Sequence, residues 1–74
     1  MKYLTTFDIE AGENKEVVTE ITSEPYSVEL ISSTGELLNG SLLDRKVAIN
    51  EDGYLTVTIY SVEALEDIKL KIIY

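Results

Sequence analysis

The stretch DGYLTVTIY, residues 52 to 60, decides the fold class of this chain. Asp52-Gly53 is a turn signal, and the residues after it alternate with the period of two that marks a β-strand. The alternation separates two sets of side chains: Leu55, Val57 and Ile59 on one face, and Tyr54, Thr56, Thr58 and Tyr60 on the other. The first set is the predicted core face. The tyrosines of the second set raise the question of what the opposite face contacts.

The same period of two recurs along most of the chain. Further strand-like runs are YLTTFDI (3–9), KEVVTEIT (15–22), YSVELIS (26–32), KVAIN (46–50) and IKLKIIY (68–74). In the third run, Tyr26, Val28 and Leu30 are predicted to share one face, opposite Ser27, Glu29 and Ile31. In the fourth, Val47 and Ile49 are predicted to point inward. Turn signals separate the runs every eight to twelve residues, as is typical of antiparallel sandwiches and small barrels. We therefore predict a single all-β domain, 1–74, of six or seven short antiparallel strands forming a β-sandwich or small barrel.

The predicted connections follow from turn chemistry. Residues 33–36 and 50–53 read as hairpin turns, with Gly35 supplying a positive φ in the first. We expect the turn at 50–53 to set the register of the last three strands. The stretch ELLNGSLLDR (36–45) is irregular, and its Leu-Leu pairs around Asn39-Gly40 indicate a short strand, a turn and a crossing segment. SVEALED (61–67) is too short for an independent helix, so a turn or single helical turn is expected there.

Length and charge restrict the possible partners. A chain of 74 residues buries only about 60% of its unfolded surface, and this one has neither cysteine nor histidine to supply disulfides or common zinc ligands. Oligomerisation or docking onto a larger protein remains as reinforcement. The net charge of −8 argues against nucleic acid and anionic membranes as partners, and suits solubility or a basic docking surface.

The chain carries no recognisable targeting or catalytic motif. Asp8 and Glu10 interrupt the first apolar run, so we expect no signal peptide and a product made in the cytoplasm. Without His or Cys, and with carboxylates spread singly, we predict a non-enzyme with no cofactor and no metal. An EF-hand alignment on Gly53 fails because Ala48 and Ile59 fall at ligand positions. The glycosylation pattern at 39–41 is attributed to chance in the absence of a secretory signal.

Several strands are apolar on both faces, which a solitary sandwich does not need. Three interpretations of the second apolar face remain open: a protein interface, ordinary half-exposed strand residues, or a sugar-stacking platform built on tyrosines. The predicted interface set consists of Tyr54, Tyr60, Ile73, Leu37, Leu38, Leu42 and Leu43. The four leucines belong to the irregular segment, which could reach a neighbouring molecule.

Three segments together carry a resemblance to a known class of modules. YLTTFDIEAGENKEVVTEI, YSVELISSTGELL and KVAINEDGYLTVTIYSVEALEDIKLKII follow one another in an order that resembles small β-sandwich modules of tailed-bacteriophage virion proteins, found in fibres and as head decoration proteins. The resemblance implies a non-enzymatic structural protein of the virion that decorates or reinforces a capsid or tail assembly. Its implied partners are a larger capsid or tail protein, further copies of itself, or both. The alternatives are a carbohydrate-binding or adhesion module, and a designed or host-encoded β-domain without a ligand.

Overall fold

The chain forms six β-strands and no helix in the part that the structure, a computed structural model, describes: residues 1–38 and 43–74. The strands are β1 (Lys2–Ile9), β2 (Asn14–Val18), β3 (Ser27–Ile31), β4 (Leu43–Ile49), β5 (Leu55–Ser61) and β6 (Leu65–Ile73). They form two three-stranded antiparallel sheets, ordered β1-β6-β3 and β2-β5-β4. The predicted all-β sandwich is confirmed.

Most connections pass from one sheet to the other. Only β4 and β5 are neighbours both in the chain and in a sheet, whereas β5 and β6 lie in different sheets. The expectation that the turn at 50–53 sets the register of the last three strands is therefore wrong: it sets the register of β4 against β5 alone. The expected turn after β5 is a bend at residues 62–63 without a helical turn, and the Ser61 hydroxyl accepts a hydrogen bond from the Glu63 amide there.

The core lies between the two sheets and contains the predicted inward face of β5. Leu55, Val57 and Ile59 are fully buried, and they pack with the inward side chains of the central strand β6. The remaining buried apolar residues are Ile9, Ile21, Leu30, Leu43, Ile68, Leu70 and Ile72. Burial of these aliphatic side chains is the main source of stability in a chain of this size.

Two turns have the same geometry. In residues 50–54, the Asn50 amide donates to the Tyr54 carbonyl and the Gly53 amide donates to the Asn50 carbonyl, at 2.9 and 3.0 Å. Residues 32–36 repeat both bonds, and Gly35 and Gly53 have φ values of 90° and 86°. This pattern is a three-residue hairpin loop whose last residue is left-handed, which explains glycine at both positions.

Two predicted features of the second and third runs differ from the structure. β2 ends at Val18, although Thr19 and Ile21 stay buried by bonding the backbone of Leu55. Tyr26, predicted to share a face with Val28 and Leu30, is 87% exposed, whereas Leu30 is buried. Tyr26 lies before β3 begins, directly after Pro25, where its amide donates to the Ile73 carbonyl. The period of two does not extend backwards beyond the strand itself.

An irregularity in β6 brings the backbone of Asp67 next to the side chain of Asp8 on the edge strand β1. Between the pairs Phe7–Ile68 and Ile9–Leu65, one residue of β1 opposes two of β6, which is a β-bulge. Asp67 occupies it with a φ of 54°, a left-handed conformation normally taken by glycine at such bulges. Its amide donates to the Asp8 carboxylate at 2.9 Å.

This strained position leads to a stability prediction. Asp67→Gly is expected to raise the free energy of unfolding by about 0.5–1 kcal/mol, because glycine adopts the left-handed conformation without steric cost and keeps the amide that Asp8 binds. Urea unfolding followed by circular dichroism measures the change. Asp8→Ala, which removes the acceptor, is the comparison and is expected to destabilise. A lower urea midpoint for Asp67→Gly than for the wild type contradicts the prediction.

Candidate docking surface

The two sheets leave one side of the sandwich open, between β3 and β4. Each of these strands is the edge strand of its sheet. A groove of about 650 Å³ separates them, lined by Pro25, Tyr26, Ser27, Val28, Glu29, Arg45 and Val47. Smaller hollows of about 270 and 180 Å³ share residues with it and extend it towards Ile49 at one end and Leu38 at the other. The groove therefore follows much of the length of β4.

The groove is open because the inward side of β4 is largely uncovered. The register places Arg45, Val47 and Ile49 directly opposite Ile59, Val57 and Leu55 of β5, so all six point to the inner face of the sheet. The β5 residues are buried, whereas Val47 and Ile49 are 37% and 47% exposed and Arg45 is also exposed. Val47 and Ile49 point inward as predicted, but they are not part of the buried core, because the opposing sheet does not cover this half of β4.

The opposite side of the sandwich, between β1 and β2, is closed. Lys15 of β2 points inward opposite Ile59, and its ammonium nitrogen lies 5.8 Å from the centroid of the Phe7 ring. Phe7 and Val17 both pack against the core from this side. A lysine stem with a cation–π contact covers apolar surface while its charge stays near water. The two sides of the sandwich thus differ: among the described residues, those of the β3–β4 side include inward-pointing apolar side chains, Val47 and Ile49, that are uncovered.

The backbone at this side offers hydrogen-bonding groups to a further strand. The Asn50 amide bonds Tyr54, so even-numbered residues of β4 direct their backbone groups to β5. Arg45, Val47 and Ile49 consequently direct theirs away from β5, to the free edge. On β3, residues 37–38 already occupy part of the edge: the Leu38 amide donates to the Leu30 carbonyl, and Leu37 bridges Ile31. Of the two, β4 offers the longer free edge.

The predicted interface residues on the strands do not form one surface. Tyr54 and Tyr60 lie on the outer face of the β2-β5-β4 sheet and are 38% and 39% exposed. Tyr60 lies six positions after Tyr54 along the extended chain, which corresponds to about 20 Å. Ile73 lies on the outer face of the other sheet, half-buried between Lys2 and Ser27. These three residues mark two outer faces of the molecule.

The four predicted leucines are also placed differently from one another. Leu37 is exposed, and Leu38 packs against the edge of the core. Leu43 is only 7% exposed and belongs to the core, so its side chain is not available to a neighbouring molecule. Leu42 lies outside the described residues, as do the expected turn at Asn39-Gly40 and the glycosylation pattern. Of the three described leucines, Leu37 alone presents most of its side chain to solvent.

Sequence reasoning missed the β4 edge, but a signal for it was present. Continuing the inward set of β4 backwards from Ile49 and Val47 reaches Arg45, a charge at a position that a covered strand fills with an apolar residue. Inward-pointing charges are a common protection of edge strands against uncontrolled pairing. Lys15 is the corresponding inward-pointing charge on β2. Both charges mark strands with an unpaired side.

Comparison with known proteins adds no relative: no family model, curated protein or solved structure matches the chain. Within residues 1–38 and 43–74, no three potential metal-binding side chains come together. In the same part of the chain, no helix is long and apolar enough to cross a membrane. The fold and the groove define a small all-β sandwich with one open side.

Proposed function

We propose that this protein is a non-enzymatic structural protein of a virion, which docks on a capsid or tail assembly and reinforces it through protein–protein contacts. The observation that carries the proposal is the open side of the sandwich, where Val47 and Ile49 point inward without cover. Uncovered apolar side chains beside free backbone groups are typical of surfaces that another chain completes. The assignment to a virion rests, in addition, on the resemblance of the three sequence segments to phage modules.

The outer face of the β2-β5-β4 sheet supplies a second surface for the same role. Val18 is exposed there on β2, Tyr54 directly precedes β5, and Tyr60 lies near the end of β5. Tyrosine suits protein interfaces because its ring buries apolar area while its hydroxyl keeps a hydrogen bond. A domain with such surfaces on more than one side is suited to bridging neighbouring subunits of a shell.

The alternative of a carbohydrate-binding module has less support. A stacking platform needs aromatic rings spaced like neighbouring sugar rings, and about 20 Å of strand separates Tyr54 from Tyr60. Each tyrosine could contact one sugar, but the two do not form a common platform. Protein–protein docking uses both tyrosines without requiring them to be adjacent.

The docking role predicts that an acidic substitution on the outer face weakens assembly. Tyr60→Asp is expected to lower the amount of this chain bound to particles at least tenfold, because it places a charge in a desolvated contact while leaving the core unchanged. The measurement is co-sedimentation with particles assembled from the capsid and tail proteins encoded beside its gene. Circular dichroism checks that the strand content is retained.

A matched control uses the other sheet. Leu4→Asp introduces the same charge at an exposed residue of β1, on the outer face of the β1-β6-β3 sheet. It is expected to leave particle binding within about twofold of the wild type. A wild-type chain that does not co-sediment with any such particle contradicts the proposed function. Equal losses for both variants contradict the assignment of the contact to the tyrosine face.

A further inference from the structure

We infer that two copies of this chain associate by antiparallel pairing of their β4 strands about a two-fold axis at Val47, forming a continuous six-stranded sheet β2-β5-β4-β4-β5-β2. This pairing rests on the proposed function, in which the chain acts through protein–protein contacts, and it names a second copy as the partner of the β4 edge. Four observations lead to it: the direction of the backbone groups, the face of each side chain, the charge pattern of β4 and the uncovered Val47 and Ile49.

The backbone of β4 fixes which residues can bond a second copy. Odd-numbered residues direct their amide and carbonyl groups to the free edge, as the bond from the Asn50 amide to Tyr54 shows. With the axis at Val47, this residue pairs with its own copy, and Arg45 pairs with Ile49 in both directions. All three pairs are of the hydrogen-bonded type, so up to about six inter-chain hydrogen bonds form.

Charge favours an axis at Val47 over axes at the neighbouring residues of β4. Residues opposite each other must share a face, so the axis passes through a residue rather than between two. An axis at Lys46 opposes two lysines, and an axis at Arg45 opposes two arginines, which is destabilising. An axis at Ala48 leaves fewer bonded pairs. With the axis at Val47, Lys46 lies opposite Ala48 and no like charges are directly opposite.

The same register brings opposite charges together at both ends of the contact. Arg45 lies diagonally across from Glu51 of the second copy, the first residue of the acidic hairpin loop that follows β4. The two-fold axis creates this contact twice. β4 also carries Asp44, Arg45 and Lys46, so it has a net positive charge in a chain of net charge −8. The positive charge of β4 offsets part of the repulsion that the net charge of −8 imposes on two approaching copies.

The pairing also covers the apolar side chains that the monomer leaves open. Val47 contacts its own copy on the inner face, and the aliphatic stem of Arg45 lies beside Ile49. Each copy contributes the walls of its β3–β4 groove, so the two grooves join under the new strand pair. A seven-residue edge is a small interface, and association on the order of micromolar is expected.

A charge-exchange experiment on the purified chain tests the register. Val47→Lys and Val47→Glu each oppose like charges at the axis, and each is expected to be a monomer by sedimentation equilibrium up to about 1 mM. An equimolar mixture of the two is expected to form a heterodimer, because the opposite charges then face each other. Leu4→Lys, on the exposed outer face of β1, is the control and is expected to dimerise like the wild type.

Cross-linking supplies an independent readout, since the chain contains no cysteine. Val47→Cys places two thiols on residues whose Cα atoms are about 5.5 Å apart in a bonded antiparallel pair, within the range of a disulfide. Its covalent dimer is expected to form at least tenfold faster than that of Leu4→Cys, on the outer face of the other sheet, under the same oxidant. A monomeric wild type at about 1 mM, or no heterodimer in the mixture, overturns the β4 pairing. A monomer that still binds particles overturns the pairing alone and leaves the proposed function standing.

Discussion

Leu70→Ala is expected to lower the free energy of unfolding by about 3 kcal/mol. Leu70 is fully buried at the middle of β6, the central strand of its sheet, between Thr5 of β1 and Leu30 of β3. Truncation removes buried methyl groups and leaves a cavity that strands fixed on both sides cannot close. A domain of this length has a total stability of only about 4–11 kcal/mol, so the loss is a large fraction.

Thermal and urea unfolding measure this effect. The melting temperature is expected to fall by about 12–24 °C, from the usual shift of about 4–8 °C for each kcal/mol in a domain of this size. Leu4→Ala is the matched control, because Leu4 is exposed on the outer face of the same sheet. Its expected effect is within about 0.5 kcal/mol. Equal losses for the two variants contradict the assignment of Leu70 to the core and of Leu4 to the surface.

Gly53→Val is expected to lower the free energy of unfolding by about 2 kcal/mol. Gly53 has a φ of 86° and closes the hairpin that aligns β4 with β5. A β-branched side chain is strongly disfavoured at positive φ, whatever space surrounds it. Apart from the two adjacent residues, no described part of the chain lies within 4 Å of the position that a Cβ atom would take, so the cost is backbone strain rather than a clash.

Gly53→Asn separates strain from other causes. Asparagine tolerates the left-handed conformation, so this variant is expected to lose less than half of what the valine variant loses. Urea unfolding of both variants measures the difference. If the two lose the same free energy, the cause is not the positive φ. Because the hairpin presents β4, the valine variant is also expected to weaken self-association of the chain, and sedimentation equilibrium measures that second effect.

The β4 edge connects these stability effects to function. Among the six described strands, β4 and β5 are the consecutive pair that lies within a single sheet, and β4 carries the uncovered Val47 and Ile49. The inward side chains of β5 are packed in the core, and β5 pairs with β4 at seven positions. A surface built on a strand paired along one whole side is well ordered, which favours recognition by a further strand over recognition by a loop.

The sequence by itself determined the fold class and most of the core. The alternation in DGYLTVTIY places Leu55, Val57 and Ile59 on a buried face, and the same rule places Ile68, Leu70 and Ile72 correctly. The turns that contain Gly35 and Gly53 were also predictable. These features are local: a period of two and a residue that tolerates positive φ are properties of a few consecutive residues.

Only the tertiary structure decided which predicted faces are covered. Val47 and Ile49 have the same alternation as Val57 and Ile59, yet they are exposed because no part of the other sheet lies over that half of β4. Leu43, predicted as a surface residue, is buried at the other end of the same strand. Periodicity states which side chains share a face, but strand order and the placement of the opposing sheet depend on contacts between residues far apart in the chain. The open β3–β4 side is a consequence of that long-range arrangement.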